Sequence, residues 1–469
     1  LKRQKINFLF VIINFQEEDL MSKKQDEYYS RKYEGMSHQD VYKSKLGTLQ
    51  DALNLIDGGD CICFSTHGSE PKVFFENLHT IADRIDKPIE MWSTIHKYKY
   101  EILTSTDPKI IEKFHMNTFF YDSWTRESHP RQMNTFFPVN LHSYGKELRE
   151  TITPNVFVCQ VSEMDEYGYC HMSCDLQHTL ETFYEADKIV FEVNKRAPRV
   201  GGDAALPITY ADVVYEVDEP LFQLQDPPMG EAEKAVAGYC AEMVKDGDCI
   251  QLGFGGIPNA IGASLMHRLD LGIHTEQIGS SMAKLMECGA VTNRKKNLDN
   301  GITVGTFILG DDFLYNYVDR HPRIQAKRGA YTNDPFIIAQ QDNMVSINAA
   351  LQIDLTGQVA AEAIGHKQFS GTGGATDFAY GAYHSKGGRA MLAQVSTTMK
   401  GTMSRIQPIL QPGSVVSVSR NLTDMVVTEY GIAKLRQRTV KQRVEELISV
   451  AHPDFRAELR QEASKYMYY

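Results

Sequence analysis

Seven short apolar runs punctuate the chain: 60–66 (DCICFST), 155–162 (NVFVCQVS), 188–194 (KIVFEVN), 248–254 (DCIQLGF), 344–353 (MVSINAALQI), 390–396 (AMLAQVS) and 415–421 (VVSVSRN). They are rich in Val, Ile, Phe and Cys and are bounded by turn residues, the pattern of buried strands. Amphipathic stretches lie between several of them. Residues 230–244 and 440–451 repeat apolar positions with a period near 3.6 and carry charges on the opposite face, which predicts helices. Strands alternating with helices predict an α/β protein with mainly parallel sheets.

The pattern breaks at 218–234, where Pro220, Pro227, Pro228 and Gly230 precede a new helix. This divides the chain into halves of similar size. The halves echo one another: GDCICFSTHGSEP begins at Gly59 and GDCIQLGFGGIP at Gly247. Each copy follows a helical pattern, forms an apolar strand and enters a glycine-containing loop before a helix. One short match is compatible with coincidence; with the boundary between the copies it supports two similar open α/β domains, 22–224 and 229–469, facing a shared cleft. Ligands of such sheets sit beyond the carboxyl ends of the strands, where both loops fall. Residues 1–21 stand apart. Their basic start and short apolar run resemble a signal peptide without a cleavage site and are too short to span a membrane. The segment from Met21 reads like a natural start, so 1–21 is expected to be a disordered or non-native leader.

Composition narrows the classes. A chain of 469 residues exceeds one ordinary domain and buries a large core. The formal charge of −11, with both signs interspersed, argues against nucleic acid as the main partner. It leaves room for small anions held by backbone dipoles. Eight cysteines occur with no C-x-x-C pair in a chain far larger than a disulfide scaffold, which suits the cytoplasm. The cluster CHMSC at 170–174 reads as core thiols and a turn histidine rather than a metal site, and no metal is expected.

Two glycine clusters could carry chemistry. In QLGFGGIPNAIGASL (251–265), Gly253, Gly255 and Gly256 allow close backbone approach, and Pro258 suits a first helical turn. Free N–H groups and the helix dipole there favour an anion. The spacing matches neither a dinucleotide fingerprint nor a Walker loop. The residues alone admit a tight turn without a ligand equally well. In KQFSGTGGATDFAYGA (367–382), Gly371, Gly373 and Gly374 follow a stretch (347–365) that reads as a hairpin turning at Thr356 and Gly357. A binding loop and a flexible surface loop both fit. Glu192 with Asn194, and Glu429, stand at strand ends as caps, ion-pair partners or site groups. No G-x-S-x-G or H-E-x-x-H occurs. One further acid, Glu276, lies in LGIHTEQIGSS (271–281), two residues after His274, which reads as a hydrogen-bonded structural histidine.

The ordered set QLGFGGIPNA, DLGIHTE, SINAALQIDLTGQV, KQFSGTGGATDF, VVTEYGIAKLR and AHPDFRAEL resembles the acetyl-CoA hydrolase/transferase family of CoA-transferases, above all those acting on butyryl-CoA and 4-hydroxybutyrate. The likeness runs from about residue 40 to the C-terminus and is strongest over 245–460. It implies CoA-transferase-like α/β domains with the active site between them. It implies Glu276, in HTE, as the nucleophile, forming a glutamyl-CoA thioester in a ping-pong transfer of CoA from a short-chain acyl-CoA to a carboxylate such as acetate. It implies CoA contacts at Gly253, Phe254, Gly255, Gly256, Ile257, Leu351 and Gly374, with Asn348 and Glu429 lining the site. Coenzyme A is then substrate and covalent intermediate, with no permanently bound cofactor, no nucleic-acid or membrane partner, and a homodimer or homotetramer expected. Hydrolysis of acyl-CoA on the same scaffold is the alternative. The sequence departs from the family after Glu276, in QIGSSMAK, and in the first half at STHGSEPKVF and WSTIHKYKYEIL; these departures bear on substrate choice.

Overall fold

The computed structural model describes residues 32–224, 228–253 and 255–466. The proposed leader, Phe254 and Pro227 lie outside these described residues. Two large sheets dominate, one on each side of 218–230, whose described residues form no regular element.

The first sheet has seven parallel strands in the spatial order Val213–Val217, Lys188–Asn194, Val156–Val161, Cys61–Phe64, Ile89–Trp92, Phe114–Thr118, Asn134–Phe136. The second has six strands in the order Gly272–Ile273, Cys249–Leu252, Met344–Asn348, Arg389–Ala393, Met425–Thr428, Gly431–Lys434, parallel except for the last pair. The echoed GDCI segments occupy matching places. Each supplies the strand at which the strand order of its sheet reverses, Cys61–Phe64 and Cys249–Leu252. Each enters that strand through a glycine at positive φ, Gly59 at 91° and Gly247 at 81°, a conformation glycine adopts without steric cost. The carboxyl ends of strands at such a reversal form the crevice where α/β sheets bind ligands.

The helices follow from their sequences. Glu231–Met243 buries Val236, Ala237, Cys240 and Ala241 and places Glu231 and Glu233 in its first turn, where the dipole favours acids. Val440–Val450 starts at a capping box: the Thr439 side chain accepts from Gln442 N, and Gln442 Oε1 accepts from Thr439 N at 2.9 Å. Its buried face is Val444, Leu447, Ile448 and Val450. Each such side chain contributes about 1.5–3 kcal/mol by leaving water.

Two expected strands differ. The run 344–353 is split into Met344–Asn348 and Gln352–Asp354, because Leu351 N bonds Ala360 O and the chain leaves the parallel sheet for a hairpin with Val359–Ala360. The hairpin turns at Gly357 (φ 93°). Residues 415–421 form no strand: Val415 and Val416 are exposed, and only a bridge from Val418 to Val359 survives. A strand apolar on both faces needs neighbours on both edges, and this segment has one short partner.

The halves are not merely adjacent. Ile278, Ile308, Leu314 and Ile324 share one buried cluster with Phe157, Leu176 and Val200. Gly201–Gly202 pairs in parallel with Ile324–Ala326, which pairs with Thr303–Gly305. A Cβ on Gly202 would lie 2.2 Å from Ala326 O, so this crossing requires glycine.

Candidate active site

The first glycine loop leaves strand Cys249–Leu252 at the reversal point of the second sheet. Gly253 N donates to Ile347 O at 2.8 Å, and a side chain there would press on that oxygen. Beside it, Asn348 Oδ1 accepts from Gln251 Nε2 at 3.0 Å. The loop and the INAAL segment therefore meet, and Leu351 lies three residues beyond Asn348, partly exposed. Gly255, at φ 115°, caps the helix Gly256–Ser264. Gly256 opens the first turn, while Ile257 packs against the core of the second sheet. A cavity runs between this loop and the segment after Glu276, with Gly253, Gly255 and Asn259 on one wall and Gln277, Gly279 and Ser280 on the other. An adjoining cavity of about 320 Å³ is lined by Gly256, Asn259, Ser281 and Lys284. The departing QIGSS residues thus face the glycine loop.

Glu276 follows the edge strand Gly272–Ile273. Its carbonyl accepts from Thr306 N (2.8 Å) and Phe307 N (3.1 Å). Those residues pair in turn with 174–176 of the first half, through Leu176 N to Thr306 O and Ile308 N to Cys174 O. His67, also of the first half, stacks on the Phe307 ring at 4.1 Å. Behind the glutamate, the buried His274 ring bonds Thr332 O through Nε2 at 2.8 Å; burial and the Lys296 charge hold it down near pKa 3, so it is a neutral structural donor. Buried Lys296 ties the preceding strand by donating to Ile273 O (2.9 Å) and Ile302 O (2.7 Å).

The Glu276 side chain keeps partial solvent contact but is crowded by protein. Its Oε2 accepts from Asn333 Nδ2 at 2.8 Å, and the Gly374 backbone packs against the same carboxylate. A Cβ on Gly374 would sit 1.9 Å from Oε2 and 2.2 Å from Asn333 Nδ2, so no other residue fits there. Gly373 (φ 53°) approaches Oε1 and the Phe120 ring. Gly371 is pressed on Phe119 O, where a Cβ would lie at 2.0 Å. The second glycine cluster is therefore a packed wall between the halves, pinned by Arg126, whose Nη1 donates to Phe369 O at 2.6 Å. Burial pushes Glu276 up to about 7; Asp377 nearby adds to the rise, and Asn333 and the Gly374 backbone oppose it.

Other candidates take structural places. Glu192 accepts from Tyr215 Oη (2.5 Å) and from Phe74 N (3.1 Å) at the start of helix Lys72–Leu78; it is a buried cap. Asn194 Nδ2 donates to Gln160 Oε1 and Glu219 O. Glu429 accepts from Ser396 N (2.7 Å) and Ser396 Oγ (2.6 Å) and so holds a neighbouring loop. In CHMSC, His171 Nδ1 lies 3.0 Å from Val200 O, and burial pushes Cys170 and Cys174 up to about 12, leaving no thiolate at neutral pH. Among the described residues no group of three His, Cys, Asp or Glu is placed to hold a metal. No described helix is long and apolar enough to cross a membrane.

Sequence patterns had not marked Asn333, Asp377, His142 or Phe120. Asn333 sits in TNDP, which looks like a turn, and Asp377 is one letter inside GGATDF. Only their convergence on Glu276 distinguishes them.

Comparisons with known proteins identify the family and the fold. The family model for the acetyl-CoA hydrolase/transferase N-terminal domain matches residues 29–223, and that for the C-terminal domain matches 310–463. The chain is 40% identical to a succinyl-CoA:cyclohexane-1-carboxylate CoA transferase of Geobacter metallireducens, over 92% of this chain and 97% of the other. It is 37% identical to a 4-hydroxybutyrate coenzyme A transferase of Clostridium kluyveri, over 92% and 100%. The crystal structure of RipA from Yersinia pestis superposes with a TM-score of 0.87 at 34% identity, covering 92% of this chain and all of that one.

Proposed function

The chain belongs to the acetyl-CoA hydrolase/transferase family, and we propose that it is a CoA-transferase in which Glu276 is the nucleophile that moves CoA from a short-chain acyl-CoA to a carboxylate acceptor. Butyryl-CoA or 4-hydroxybutyryl-CoA as donor and acetate as acceptor fit the resemblance. The eight cysteines are all free, as suits work in a reducing cytoplasm.

The observation that carries the reading is a crowded carboxylate held by the Asn333 Nδ2 donor with the Gly374 backbone packed against it. Attack by a Glu276 oxygen on the thioester carbonyl expels CoA thiolate and leaves an acyl-glutamyl anhydride. The thiolate then attacks the glutamyl carbon, the acyl carboxylate leaves, and a glutamyl-CoA thioester remains. The acceptor carboxylate attacks that thioester and expels CoA thiolate, leaving a second acyl-glutamyl anhydride; the thiolate attacks its acyl carbon, so the new acyl-CoA forms and the Glu276 carboxylate is released. When the glutamyl carbon becomes tetrahedral, the Asn333 donor is already in place beside it. Such a donor is typically worth about 3 kcal/mol of transition-state stabilisation. Each step exchanges one activated acyl species for another, so no external energy source enters. The walls formed by 371–374 and Phe119–Phe120 keep water from both intermediates. The first glycine loop and its adjoining cavities, lined by Gly253, Gly255 and Gly256, offer CoA a surface to lie on; Phe254, Ile257 and Leu351 are CoA contacts on the strength of the resemblance.

The test is a mass measurement. Protein incubated with butyryl-CoA and no acceptor, then digested, is expected to carry a CoA adduct on the Glu276 peptide. Transferase turnover without any such adduct would overturn the assignment. CoA release that proceeds equally with and without an acceptor acid would identify hydrolysis instead.

A further inference from the structure

Gly374 caps the helix Ala375–His384, and two carboxylates share that helix end. The Glu276 carboxylate packs against the Gly374 backbone in front of it. Asp377, 1% exposed, occupies its first turn. A helix N-terminus favours one negative charge, but two like charges at close quarters oppose each other's ionisation. The compensating group comes from the other half of the chain. His142, at the start of helix Leu141–Glu147, lies with Nδ1 2.7 Å from Asp377 Oδ1, and its backbone N donates to Oδ2 at 3.2 Å. Both Asp377 oxygens are thus held by one residue. A further charge facing the pair is Asp334, which caps Pro335–Ile338 by accepting from Phe336 N, immediately after Asn333.

We propose that the His142–Asp377 pair is a positioning device for the nucleophile: the His142 cation offsets part of the Asp377 charge, so that Glu276 can still ionise at the shared helix end. This rests on the reading of Glu276 as the nucleophile. The titration behaviour agrees with the geometry. Burial pulls His142 down, but hydrogen bonding and attraction to Asp377, with Asp334 behind it, outweigh burial and raise it above the ordinary histidine value. Burial lifts Asp377, and His142 works against that lift. A pair that only glued the halves together would alter stability at every pH and leave the ionisation of Glu276 where it was.

The decisive measurement is the pH dependence of CoA-adduct formation on the Glu276 peptide from butyryl-CoA in a single turnover. Wild type, Asp377→Asn and His142→Gln are compared. Asp377→Asn removes the like charge and is expected to move the acid limb to lower pH by about one unit. His142→Gln leaves Asp377 uncompensated and is expected to move it to higher pH. Limbs that coincide with wild type, or that move in the same direction, overturn the role of the pair. Should His142→Gln not fold, Asp377→Asn decides alone: a limb that stays or rises overturns it. Absence of any adduct in wild type at every pH would instead refute the nucleophile assignment.

Discussion

A carboxylate attacks a thioester only while it is ionised, and it attacks best when poorly solvated. As the proposed nucleophile, Glu276 meets these demands at a cost that stability measurements can read. Its pKa rises from an ordinary 4.5 to about 7 on folding, so the native state holds a proton that the unfolded chain has lost between those values. The associated stability is fully present below about 4.5 and is lost as pH rises through 7. Glu276→Gln is therefore expected to abolish transfer yet melt a few degrees above wild type at pH 8, with the two curves converging at pH 4. A lower melting temperature for the variant at pH 8 contradicts this. Asn333→Ala removes one donor and is expected to lower kcat about 10²- to 10³-fold in steady-state assays. Gly374→Ala drives a methyl into Oε2 and should eliminate adduct formation altogether. The residues differ in how far they were legible. The resemblance marks Glu276 and Gly374, and the fold puts them in contact. Asn333 and Asp377 carry no signature, because a hydrogen bond across 57 residues leaves no trace in local spacing.

Elements were readable where burial is uniform. The runs around Val156–Val161 and Lys188–Asn194 are covered almost throughout, so nearly every letter is apolar. Phe114–Thr118 alternates covered and half-covered positions, and its polar letters His115 and Asn117 hide it among loops. Ile89–Trp92 and Asn134–Phe136 are short and partly exposed, with the same effect. The helix Val440–Val450 was plain from its period, and the structure adds its Thr439–Gln442 cap. That cap is far from Glu276 in role as well as sequence. Thr439→Ala is expected to cost about 1 kcal/mol in denaturant unfolding while leaving kcat unchanged. A matching loss of turnover would tie this helix to the site.

At the scale of the molecule, the two similar sheets and their reversal strands follow from the GDCI echo, but the way they join does not. The join uses glycine pairs, short strands and a shared core whose members are 100 residues or more apart, such as Leu176 with Ile308. Halves sharing one core should unfold together. Both tryptophans, Trp92 and Trp124, belong to the first half, so their fluorescence reports that half, whereas far-UV dichroism reports the whole. The two melting curves are expected to coincide. A tryptophan transition that precedes the dichroism change would mean that the shared core does not couple the sheets.

The packed wall at 371–374 has a temporal meaning for a chain made from its amino end. Glu276 leaves the ribosome roughly a hundred residues ahead of Gly374, and domains begin to fold while synthesis continues. Until Gly374 arrives, the glutamate lacks the backbone that packs against its carboxylate and the cover that the 371–374 wall provides. In a chain stopped before that point the proposed nucleophile stands in open water, where any acyl-glutamate would be hydrolysed. On the proposed mechanism, competence for transfer thus waits on near-completion of the polypeptide.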